Sequence, residues 1–145
     1  MNSIIRSSGV ALFVAALMVA FAPAASAEQP YKAKLNGKQE VPAVETKASG
    51  TAKFEVKKDG SVSGSVKTEG IKGIAAHIHE GAVAKTGGVA VALTAKGDNQ
   101  WVVPDGAKFT SAQMDALKAG NLYVNVHSEA HKDGEIRGQV KKTGG

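Results

Sequence analysis

An Asp-Gly turn between two alternating runs constrains the fold of this chain more than any other feature of its sequence. Residues 51–57 (TAKFEVK) alternate polar and apolar side chains, the period of a strand with one buried face. Lys58-Asp59-Gly60 reverses the chain, and residues 61–67 resume the alternation with Val62, Gly64 and Val66 on one face. Asp and Gly tolerate the positive φ angles of a tight hairpin turn, so the two runs are expected to pair antiparallel. An isolated hairpin is marginal in water, and the rest of the chain must supply strands to cover it.

It does so in short pieces. Residues 31–35 read as an extended segment that breaks at Gly37 and at Val41-Pro42, where proline forbids a central strand position. Residues 74–79, 89–93, 101–103, 122–127 and 135–140 read as further strands separated by glycine-rich turns. One helix interrupts them near 110–119. Thr110 is its expected N-cap, Gln113 stands at capping-box spacing, Met114 and Leu117 lie three apart, and Gly120 ends it. The helix is expected to serve as a lid or crossover, and residues 141–145 as a solvated, frayed tail. The fold class expected is all-β: an antiparallel β-sandwich or barrel, immunoglobulin-like or superoxide-dismutase-like Greek key, with that one short helix.

The first 27 residues are of another kind. Arg6 precedes an uncharged run, residues 10–22, and then Pro23 and the small residues Ala24-Ala25-Ser26-Ala27. That order is the n-region, h-region and A-x-A site of a cleavable signal peptide, with cleavage expected after Ala27. The run is about 13 residues, short of the roughly 20 that span a bilayer, so no stable membrane anchor is expected after cleavage. The mature domain would be residues 28–145, with a periplasmic or secreted, extracellular location. The chain has no cysteine, which excludes a disulfide framework, a thiolate metal site, a cysteine nucleophile and a lipidated cysteine. The net charge of +5 falls by one with Arg6. The lysines are scattered without aromatic partners, so nucleic acid is not an expected partner.

All four histidines fall in two places, His77 and His79 in AHIHEG and His127 and His131 in VNVHSEAHKDG. Two apart on a strand, His77 and His79 project to one face, opposite Ile74, Ala76 and Ile78. The same alternation sends Leu122, Val124 and Val126 inward and Tyr123, Asn125 and His127 to the other face. On the last strand Ile136 and Val140 go inward, with Glu135, Arg137 and Gln139 outward. If these strands are neighbours, three imidazoles meet and His131 reaches in from its loop. Such a set, with a carboxylate from Glu80, Glu129 or Asp133, is ligand enough for a transition-metal ion, copper or zinc by preference. The plainer reading is a solvated or turn-fixing His-x-His pair.

Glu135 and Arg137 are expected to support this region, either as an anion-gripping site or as an Arg-carboxylate and backbone clamp that closes the sheet; the clamp is the expectation. Trp101 and Tyr123 are expected as core or rim residues instead of a stacking platform. Gly87-Gly88 reads as a turn, since no phosphate-loop pattern accompanies it.

Four blocks in order, LNGKQEVP at 35–42, AHIHEG at 76–81, FTSAQMDALKAGNLYVNVH at 109–127 and GEIRGQV at 134–140, make the chain resemble the CHRD domain, the module named after chordin. The likeness runs from about Tyr31 to Lys141. It implies an all-β extracellular or periplasmic domain and argues for binding over catalysis. His77, His79 and His127 stand at family motif positions. His131 stands where members often carry asparagine before a proline, a position held here by Lys132. A weaker local echo is the His-x-His-Glu strand of copper-zinc superoxide dismutase, but the cysteine pair and zinc subsite of that enzyme are missing.

Three functions follow as expectations. The first is an exported, non-catalytic binding module with copper or zinc on the histidine face. The second is a metal-free interaction module that engages an extracellular protein or surface polymer. The third is a metal-dependent redox or hydrolytic enzyme, for which Glu80 is the only adjacent base.

Overall fold

The Asp59-Gly60 hairpin forms as expected. In the computed structural model, which describes residues 18–22 and 27–144, strand β2 (Ser49–Val56) pairs antiparallel with β3 (Val62–Glu69) along its whole length. Gly60 takes φ +91°, and Asp59 Oδ1 accepts a 2.9 Å hydrogen bond from the Ser61 amide. The expected cleavage motif at 23–26 and the charged n-region lie outside the described residues.

On the other side of β2 lies β1 (Gln29–Asn36), paired at eight positions. The remaining strands are β4 (Gly73–Glu80), β5 (Val89–Ala92), β6 (Thr94–Ala95), β7 (Gln100–Val102), β8 (Leu122–Ser128), β9 (Ile136–Gln139) and β10 (Lys141–Lys142). All pairs are antiparallel, in the order β5-β4-β8-β9-β1-β2-β3-β7-β6, with β10 also on β1. The two ends of that order are consecutive in sequence. Residues 89–95 start against β4 and finish against β7, so one short segment joins both edges and nearly closes the sheet into a barrel. Closure removes the exposed edges that an open sheet of this size would present.

Alternation fills the interior. Leu35, Ala52, Phe54, Val56, Val66, Ile78, Leu122, Val124, Val126, Ile136 and Val140 are all buried there. Each fully buried aliphatic side chain contributes about 1.5–3 kcal/mol, the kind of sum a domain without disulfides depends on. Helix α1 (Ser111–Lys118) carries the expected capping box, with Thr110 and Gln113 bonded reciprocally, and Gly120 follows at φ +77°. It is the crossover from β7 to β8, anchored by the buried Leu117.

Two expectations need correction. Ile74, assigned to the core face, is 48% exposed, because the register slips between Gly73 and Ala75 and leaves Ile74 as the extra residue of a bulge. Lys141 and Lys142, read as part of a frayed tail, extend the sheet by pairing with Lys32 and Tyr31. Their side chains stay exposed, so only the backbone is recruited.

Candidate functional site

Strands β4 and β8 are neighbours, and their register brings the histidines together. His79 lies opposite Tyr123, His77 opposite Asn125 and, after the slip at Ile74, Ala75 opposite His127. His77 Nδ1 is 2.9 Å from His127 Nε2, and the His77 and His79 rings meet edge to face at 5.4 Å between centroids. One ring nitrogen from each of His77, His79 and His127 lies within 4.8 Å of the others.

Backbone carbonyls fix two of the tautomers. The Lys132 carbonyl is 2.7 Å from His127 Nδ1, and the Gly87 carbonyl 3.0 Å from His79 Nδ1. A carbonyl oxygen only accepts, so each Nδ1 carries the hydrogen and each Nε2 its lone pair. His77 Nδ1 therefore donates to His127 Nε2. His79 Nε2 is buried and has no partner. Burial first, then repulsion from His127 and His79, holds His77 below the ordinary imidazole range. Burial also lowers His79, against the Gly87 carbonyl and the Asn125 side chain, which favour its charged form. Both rings are neutral at pH 7, the form that binds metal.

Below the histidines the sheet carries polar side chains in two cross-strand rows, His77–Asn125–Arg137 and His79–Tyr123–Gln139. The alternation that sent these residues away from the apolar core is correct, yet they are not solvated: Tyr123, Asn125, Arg137 and Gln139 are all buried. The connection from Glu80 to Val89 folds over them. Arg137 Nη2 donates to the Ala82 carbonyl at 2.9 Å and to Gln139 Oε1 at 3.0 Å, and Gln139 Nε2 donates to the carbonyls of Gly81 and Gly120. The Gly87 amide donates to the Tyr123 hydroxyl. Gly87-Gly88 is thus a turn with a task, since a side chain at 87 would collide with the Glu80 carbonyl while the Gly87 carbonyl orients His79.

Tyr123 is part of the site and not simply a rim residue. His79 stacks on one face of its ring, 4.9 Å between centroids and 5° from parallel, and the Arg137 guanidinium covers the other at 3.5 Å. Arg137 clamps the loop through the Ala82 carbonyl; burial lowers its pKa against the opposing influence of Tyr123 and then Glu40, while Glu135 makes no ion pair with it. Glu135 instead accepts a 2.7 Å hydrogen bond from Thr46.

The other candidates stand apart. His131 is not among the three clustered rings; its backbone closes the 128–134 turn with Ser128 and Gly134. Glu80 and Glu129 are exposed, and Glu129 lies 3.7 Å from Lys132. Asp133 contributes its backbone carbonyl, 3.4 Å from Asn125 Nδ2. The carboxyl that sequence reasoning missed is Glu40, which is 8% exposed and raised to about 7, by burial against the opposing pull of Arg137, the Val41 amide and Asn125. Its only signal was membership of the LNGKQEVP block.

These features define a class: an all-β module with a nearly closed sheet and a histidine cluster set on a buried polar row. The chain belongs to the CHRD domain family, whose model matches residues 31–140. That range contains every residue of the site. No curated protein and no solved structure matches the chain significantly.

Proposed function

We propose that this protein is an exported, non-catalytic binding module that holds one transition-metal ion, copper(II) or zinc, on His77, His79 and His127. The observation that carries the reading is the pair of carbonyl-fixed tautomers. His79 and His127 each spend Nδ1–H on a backbone carbonyl, the outer-shell arrangement that orients metal-binding imidazoles and leaves the lone pair on Nε2, unpartnered in His79 and accepting from His77 in His127. Ligand nitrogens about 2.0–2.1 Å from zinc lie roughly 3.3 Å apart in a tetrahedron, so the cluster needs a small contraction and not a refolding. Glu80, adjacent in sequence, follows His79 on β4 and is exposed at its end. The likeness to the signal-peptide pattern supports export.

Purified mature protein is expected to retain about one equivalent of copper or zinc through desalting, and the double substitution His77→Ala, His79→Ala to retain none. Failure of the unsubstituted chain to bind either metal at micromolar concentration sinks the reading.

A second reading has its own support. The His77–His127 hydrogen bond already satisfies two of the rings, as an interaction module without metal requires. It engages an extracellular protein or surface polymer, and predicts that histidine substitutions lower the melting temperature while added metal changes nothing.

A further inference from the structure

Asn125 lies beneath all three histidines. It is directly opposite His77 on the neighbouring strand, two residues from His127 on its own strand, and two from Tyr123, on which His79 stacks. The residue is 3% exposed.

The orientation of its amide is set from the far side. Nδ2 faces the Asp133 carbonyl at 3.4 Å, and the Glu40 carboxylate, an acceptor, draws on the same side chain. Gly134, at φ +128°, lets Asn125 and Glu40 approach: a Cβ there would lie 2.7 Å from Asn125 Nδ2 and would strike Glu40 Oε1. With the donor end held by acceptors, the planar amide turns Oδ1 away from them, toward the histidine side. Oδ1 is buried and bonded to nothing, and so is His79 Nε2. With His79 neutral, two lone-pair atoms on one small patch cannot satisfy each other, and the Asn125 side chain favours a positive charge at His79. Each needs a donor or a cation, and leaving either bare carries a desolvation cost.

Resting on the metal reading above, we infer that Asn125 Oδ1 is the fourth protein donor of the site, so that three imidazole nitrogens and one amide oxygen enclose the ion. A neutral oxygen in this place closes a tetrahedral site against substrate, as structural metal sites are closed and catalytic ones are not. It also gives the buried polar row a purpose: Glu40, Asp133 and Gly134 hold the amide, and the amide faces the metal.

The test uses the mature chain and zinc, with affinity read by competition against a chromophoric chelator. Asn125→Leu, which keeps the volume and removes the oxygen, is expected to weaken zinc binding at least as much as losing an outer-shell group, roughly 10–100-fold. Asn125→Asp keeps the shape and replaces the amide oxygen by a charged one, and is expected to tighten binding. It also keeps the test decisive if the leucine variant does not fold. Wild-type affinity in the aspartate variant, and in the leucine variant if folded, overturns the assignment of Asn125 alone. An unsubstituted chain that binds no zinc overturns the metal reading with it.

Discussion

His77 Nδ1 and His127 Nε2 sit 2.9 Å apart on adjacent strands, joined by a hydrogen bond that an incoming metal ion must break. On the metal reading proposed above, the cluster would have two states, one closed on itself and one open around an ion. Replacing His77 by Ala removes the bond, and a net hydrogen bond is worth about 1 kcal/mol. Metal-free His77→Ala is expected to lose about that much stability in urea denaturation, while losing its metal affinity altogether. A large stability loss with unchanged metal affinity would reverse the assignment.

Arg137 carries the most concentrated structural role. It is 1% exposed, covers Tyr123 and bonds to the Ala82 carbonyl and Gln139. Arg137→Met is expected to cost about 3 kcal/mol, because it strands the Ala82 carbonyl and Gln139 Oε1 and uncovers the Tyr123 ring. Arg137→Lys is expected to rescue little, since an ammonium lacks the planar fork that stacks and donates at once. Thermal denaturation of the two variants checks this.

The pH dependence of stability has two opposing parts. His77 and His79 are held below the usual value of 6.5 in the folded chain. The unfolded chain then binds more protons as pH falls below about 6.5, so their contribution to stability declines toward acid. Glu40 is raised from 4.5 to about 7, so the folded chain binds its proton more tightly and stability is lost as pH rises through that window. Glu40→Gln removes the second effect. Its gain over the unsubstituted chain is expected to be small below pH 4.5, to grow up to pH 7 and then to level off, at a size on the order of 2–3 kcal/mol. Denaturant unfolding at a series of pH values reads it directly; a gain that shrinks with rising pH contradicts the assignment.

Gly134 tests the packing of the same row. With φ +128° and no room beside Glu40 Oε1, Gly134→Ala is expected to destabilise the fold by about 2 kcal/mol or more. Gly97→Ala, at an open turn with φ +84°, meets no neighbour and suffers only the backbone cost. Comparing the two by chemical denaturation separates collision from conformation.

How much of this was legible in the sequence follows from the kind of signal each part leaves. Alternation and turn residues are local, so the β2–β3 hairpin, the Thr110 cap and the inward residues of β8 could be read directly. Ile74 could not, because a bulge depends on the register of the partner strand. The pairing of Lys141 and Lys142 escaped because their exposed side chains leave no apolar pattern. His77, His79 and His127 were legible as a cluster because their strands are neighbours. Glu40 and Asn125 were missed as site residues because a second buried face, polar and roofed by a loop, has no signature in the alternation. His131 looked like a ligand by proximity in sequence, but its backbone closes the 128–134 turn and its ring lies outside the cluster of three.

The central claim is that His77, His79 and His127 form one metal site. The most direct measurement is titration of the mature chain with copper(II), followed by electron paramagnetic resonance for nitrogen coupling. The account predicts saturation at one equivalent, coupling to imidazole nitrogens, and loss of the signal in each of the three single His→Ala variants but not in His131→Ala. Saturation that survives the three substitutions, or dependence on His131 in their place, would contradict it.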